Sequence, residues 1–170
     1  MKKVLQFSGL ISLVLAIVAF ILMMATNAVV QSSGSLQVVT AGTTAIFGKT
    51  ESTILGDVVT KPSVLALIGW ILMIVGMIIV AAGVILPLLK INALEKFAGI
   101  LNLVALVCFV LGGIFMFLVV PTFFTANGYD STPDNAAIGA GWVIGGILAI
   151  AGGAFAILPA AAAFIGSKKK

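Results

Sequence analysis

Apolar residues in this chain fall into four long blocks, Val4 to Val30, Val64 to Leu89, Phe97 to Pro121 and Ala136 to Ile165. Each exceeds the roughly 20 residues that an α-helix needs to cross a hydrocarbon core about 30 Å thick. The pattern predicts four transmembrane helices. Between them lie polar segments at Gln31 to Ser63, Lys90 to Lys96 and Thr122 to Asn135. The short middle segment makes the second and third spans antiparallel neighbours. In the first segment, β-prone stretches at Leu36 to Thr40 and Thr43 to Phe47 predict a small flap of two or three strands. The last segment contains Asn127-Gly128 and Thr132-Pro133-Asp134, which read as turns, and Asp134-Asn135, placed to cap the fourth helix.

The blocks repeat. Phe7-Ser8-Gly9-Leu10-Ile11-Ser12-Leu13-Val14 returns as Phe97-Ala98-Gly99-Ile100-Leu101-Asn102-Leu103-Val104, and Gly69-Trp70 before Leu86-Pro87 returns as Gly141-Trp142 before Leu158-Pro159. Both copies run in the same direction. The expected architecture is therefore an all-α, left-handed four-helix transmembrane bundle of two parallel-repeated helical hairpins, forming a single domain over residues 1–170. The first outer loop is the enlarged one.

Composition excludes a soluble globule: 62% of residues are hydrophobic and 8% charged. Lysine placement then sets an orientation. Lys2, Lys3, Lys90, Lys96 and Lys168 to Lys170 lie at the termini and in the middle connection, and Lys49 and Lys61 alone lie in the other two loops. Positive residues favour the cytoplasmic side, which predicts a multi-pass protein of the cell membrane with both termini cytoplasmic. The first block reads as a span rather than a cleaved leader, because Val4 to Ala25 is longer than a leader's apolar core and its start matches the third span. Cys108, the sole cysteine, lies within a span, so no intramolecular disulfide forms.

Within the spans, Gly69, Gly76 and Gly83 recur on one face of the second helix, and Gly139, Gly146, Gly153 and Ala160 on the fourth. Gly141 and Gly145 add a further small pair. Such faces let helix backbones approach in lipid, where apolar burial no longer drives association. Packing inside the bundle is the expected use, with dimerisation the alternative. Trp70 and Trp142 are expected to anchor the helices at a membrane interface. Pro87 and Pro159 are expected to kink the ends of their helices. Ser12 and Asn102, equivalent in the repeat, are candidates for an interhelical hydrogen bond.

The spans hold no acid, base or histidine of the kind that marks an ion or proton pathway. The sequence also holds no metal-ligand spacing, nucleophile with a base, or phosphate loop. Neither a catalytic residue, a cofactor, a metal nor a nucleic-acid partner is expected. The expected partners are the lipid bilayer and a membrane protein or further copies of this chain.

The order of four spans, with Ala45-Ile46-Phe47-Gly48 in the larger first outer loop and Leu67-Ile68-Gly69-Trp70 at the next helix, resembles small uncharacterised four-span proteins of low-GC Gram-positive bacteria. The resemblance implies a cell-membrane location. In topology alone the chain is similar to claudins and tetraspan-like proteins, without their loop cysteines. The function expected from these readings is that of a non-enzymatic structural, interaction or accessory subunit whose first outer loop is a recognition surface. A pore-forming, holin-like or transporter component is the alternative.

Overall fold

The computed structural model describes residues 2–54, 56–88 and 98–167. The connection from Lys90 to Lys96 and the Lys168 to Lys170 tail lie outside the described residues. Four helices are long and apolar enough to cross a membrane: α1 (Lys2–Ala25), α3 (Val64–Leu88), α4 (Ala98–Phe117) and α6 (Ala140–Ser167). They mark a multi-pass membrane protein. Helix α1 packs on α3 and α6, and α4 packs on the same two, so α1 and α4 sit diagonally across a four-helix bundle. The α4–α6 interface is the most extensive and α1–α3 the least. In the middle of the bundle Ala16, Ala19, Met73, Val80, Ala105, Phe109 and Ala149 form one buried cluster. Neither Pro87 nor Pro159 ends its helix.

The remaining elements gather at one end. They are β1 (Asn27–Ser33), β2 (Leu36–Ala41), α2 (Gly42–Phe47), β3 (Lys49–Thr53), β4 (Gly56–Thr60), α5 (Val119–Ala126) and β5 (Ala136–Ile138). Strand β1 is the centre of an antiparallel sheet ordered β2-β1-β5, and β3 pairs with β4 in a separate hairpin. The pairs Val29–Ile138, Val30–Ala137 and Gln31–Ala136 tie the two loops together. A register shift between Asn27 and Val29 bulges β1, so that consecutive residues Ala28 and Val29 are both buried.

Several expectations change at this end. The first and fourth apolar blocks do not remain helical to their loop-side limits, because Ala28 to Val30 and Ala136 to Ile138 are strands. The third block breaks at Leu118 and resumes as α5. Pro121 has no N–H to give the carbonyl four residues earlier, which favours a break at that point. Thr43 to Phe47 lies in a helix instead of a strand, with Ala45 and Ile46 fully buried. Asp134-Asn135 does not cap the fourth helix. Strand β5 intervenes, and the Asn135 amide instead donates to the Ser32 carbonyl at 2.6 Å. The expected strand at Leu36 to Thr40 is present in β2.

Candidate functional site

The sheet-bearing end holds the densest polar wiring. A helix leaves its last carbonyls without intrahelical partners, and burial makes each unsatisfied one costly. Four donors serve the end of helix α1, three on its own carbonyls and one on that of Thr26, the residue after it. The Leu22 carbonyl accepts from the Thr26 hydroxyl at 2.6 Å and the Thr26 N–H at 3.1 Å. The Met23 carbonyl accepts from Trp142 Nε1 at 3.0 Å, and the Thr26 carbonyl accepts from the Gly42 N–H at 2.8 Å. The fourth helix is fastened at the same place, since the Gly139 N–H donates to the Ala28 carbonyl at 3.0 Å.

This wiring depends on missing side chains. A Cβ on Gly42 would land on the Met23 carbonyl, one on Gly139 on the Asn27 carbonyl, and one on Gly141 on the Thr26 side chain. Around the knot Met23, Ile46, Met116, Val119, Phe124 and Trp142 belong to a single buried cluster. Trp142 is fully buried, so it does not serve as the expected lipid-interface anchor; its ring fills the core and its N–H closes α1. Trp70 is partly buried, against Phe20 and Phe47 at ring-centroid distances of 6.2 and 5.1 Å.

Two asparagines pin the loops to each other. The Asn127 side chain accepts from the Lys61 N–H at 2.8 Å and donates to the Lys61 carbonyl at 3.1 Å, while Asn135 holds Ser32. Ser63 is buried at the start of α3, with its hydroxyl 2.6 Å from that of Thr122.

The other positions singled out by the sequence lie along the bundle. A Cβ on Gly69 would sit 3.3 Å from the Phe115 side chain, one on Gly76 2.6 Å from the Phe109 ring, and one on Gly83 3.4 Å from the Asn102 amide, so all three face α4. On α6, Gly146 faces Phe117 and the Gly113 carbonyl, and Gly153 faces Val110 and the Leu106 carbonyl, again on α4. Gly139 is not part of this row, because α6 starts at Ala140. Ser12 and Asn102 stand on diagonal helices: the Ser12 hydroxyl donates to the Gly152 carbonyl at 2.6 Å, and Asn102 lies at Gly83. The Ser12 hydroxyl thus goes to the backbone of α6 and not to Asn102.

Sequence reading missed Gly112 and Gly113. A Cβ on Gly112 would crowd Met73 and the Gly69 carbonyl, and one on Gly113 would lie 2.8 Å from the Gly146 carbonyl. Adjacent residues on α4 thus serve two neighbouring helices. Their signal was a Gly-Gly pair inside an apolar run, which no seven-residue spacing would find.

In contrast to the knot, the β3–β4 hairpin stands free. Nearly all of its described residues are exposed, Thr60 being half-buried, and Ile54 at its tip is wholly so. Val58 and Val59 are each more than half exposed. A surface ion pair joins Lys49 to Glu51, and the Ser52 hydroxyl donates to Asp57 at 2.7 Å. No family model matches this chain, and no curated protein resembles it at a significant level.

Proposed function

We propose that this protein is a non-enzymatic scaffold or accessory subunit of the cell membrane, and that the β3–β4 hairpin is its recognition surface for a membrane-protein partner. The observation that carries this reading is the exposure of Ile54, Val58 and Val59 on a hairpin that finds little burial among the described residues. An isolated two-stranded hairpin is marginal in water, and exposed apolar residues clustered on one commonly mark an interaction surface. Helix α2 serves a different purpose: it contributes Gly42, Ala45 and Ile46 to the core, which withdraws that part of the stretch from Leu36 to Asp57 from recognition. A bundle centre filled by Phe109, Met73 and alanines supports the scaffold over a pore through one chain.

Because Lys49 and Thr60 are paired at the hairpin's base, a two-residue Gly-Ser bridge can replace everything between Gly48 and Lys61. The shortened protein is expected to insert and melt as the parent does, but to lose partners that the parent retains in mild detergent. Retention of the same partners, identified by mass spectrometry, would move recognition to the helix faces.

The lysine asymmetry supports placing this hairpin outside the cell and both termini inside. In a Cys108→Ala background, Ser52→Cys and Ser131→Cys should react with a membrane-impermeant thiol reagent on intact cells, and Ser167→Cys should not. Labelling of Ser167→Cys alone would reverse the orientation.

A further inference from the structure

We propose that Trp70 is a lipid-binding residue whose indole N–H donates to an ester carbonyl of a glycerolipid lodged at the sheet-bearing end of the α1–α3 seam. The first observation is an orphan donor. Trp70 Nε1 is buried and has no hydrogen-bond partner among the described residues. A buried polar atom without a partner is costly, and in a native protein it calls for an acceptor from outside the chain.

The second observation is a comparison within the chain. Trp142 occupies the matching place after Gly141 as Trp70 does after Gly69, and its N–H is satisfied by the Met23 carbonyl at 3.0 Å. At Trp70 the protein supplies rings instead: Phe20 lies tilted against it from α1 and Phe47 edge-on from α2. An apolar wall around one unused donor suits an acyl chain with an acceptor at its head.

The third observation is location. Helix α3 has 25 residues and is therefore about 37 Å long, against a hydrocarbon core of about 30 Å. Trp70 is six residues after Val64, about 9 Å along the axis, so with the described helix centred on the core its backbone lies about 5 Å inside the hydrocarbon boundary. A helical side chain leans towards the N-terminus, here the sheet-bearing end, which brings the indole towards the level of the lipid ester groups. It also lies on the least extensive of the bundle's helix interfaces, α1–α3. Because Nε1 is buried, a neighbouring ring must turn aside to admit the carbonyl, and Phe47, packed T-shaped against the indole and half exposed, is the candidate.

The test reads the hydrogen bond itself. The indole W17 band in ultraviolet resonance Raman spectra moves to lower frequency when Nε1–H is hydrogen-bonded. The full chain is reconstituted in phosphatidylcholine vesicles with ester-linked chains and, separately, in vesicles with ether-linked chains, which lack the carbonyl. The Trp70 contribution is obtained by subtracting the spectrum of Trp70→Phe. It is expected at the bonded position in ester lipid and shifted up to the free position in ether lipid. A bonded position in both lipids would assign the acceptor to water or phosphate and overturn the proposal. A free position in both would mean that the N–H has no lipid acceptor, and would overturn it equally. Should Trp70→Phe fail to insert, the difference between the two lipids in the unmodified protein carries the test, because the Trp142 N–H is bonded internally and contributes no change.

Discussion

Gly139→Ala is expected to destabilise the protein by at least about 3 kcal/mol, at or beyond the upper end of ordinary overpacking. The added methyl would land on the Asn27 carbonyl, while the Gly139 N–H is held to Ala28 on the same strand. Strand and helix start must therefore separate together. The residue does not need glycine's left-handed backbone, which occurs at Gly34, Gly48, Gly56 and Gly128 and not here. Its need is for an absent Cβ. Gly42→Ala should behave alike, because its methyl would meet the Met23 carbonyl. Gly76→Ala should cost less, since the obstacle there is the edge of the Phe109 ring, a side chain that can give, rather than a peptide carbonyl. A loop glycine such as Gly34 is an unsuitable control, because at φ +60° any side chain is strained. Exposed Ser131→Ala is better, with an expected change within about 0.5 kcal/mol. Thermal unfolding in detergent should rank these variants, with Gly139→Ala lowered by on the order of 10 °C. A melting temperature for Gly139→Ala equal to that of Ser131→Ala would show that the sheet-bearing end does not close as described.

The second large effect separates the two tryptophans. Trp142→Phe removes the donor to the Met23 carbonyl and empties part of a fully buried site. An unsatisfied buried acceptor costs about 1–3 kcal/mol and the lost volume adds to it, so a total of about 2–4 kcal/mol is expected. Trp70→Phe breaks no hydrogen bond within the described residues and leaves a ring in contact with Phe20 and Phe47. In detergent it should cost less than about 1.5 kcal/mol, the range of a conservative hydrophobic exchange. Melting curves of the two variants decide the matter, and the reverse ranking would show that the Trp142–Met23 hydrogen bond does not hold the end of α1.

The glycine rows illustrate what spacing can and cannot reveal. Seven-residue recurrence placed Gly69, Gly76 and Gly83 on one helical face because two helical turns take about seven residues. Which neighbour that face meets was not legible, since lipid and protein are equally apolar and neither repels such a face. Asn102 was legible as a polar residue in a span, but its location at Gly83 instead of Ser12 depends on which helices are adjacent and which diagonal. The aromatic partners of Trp70 were hidden for a related reason. Phe20 and Phe47 lie far away in sequence, and Phe47 belongs to a segment whose composition favoured a strand.

By itself the sequence determined that four segments are long and apolar enough to cross a bilayer, because the fit between an apolar run and the hydrocarbon thickness is a local property, independent of packing. Where the helices stop was decided by tertiary structure. Ala28-Val29-Val30 and Ala136-Ala137-Ile138 are as apolar as the spans beside them, and a helix or a strand would accommodate either run. They become strands through pairing with each other across more than a hundred residues of chain, where each satisfies main-chain groups of the other. That pairing, with Gly42 and Gly139 admitting the carbonyls of Met23 and Asn27, ends α1 at Ala25 and starts α6 at Ala140.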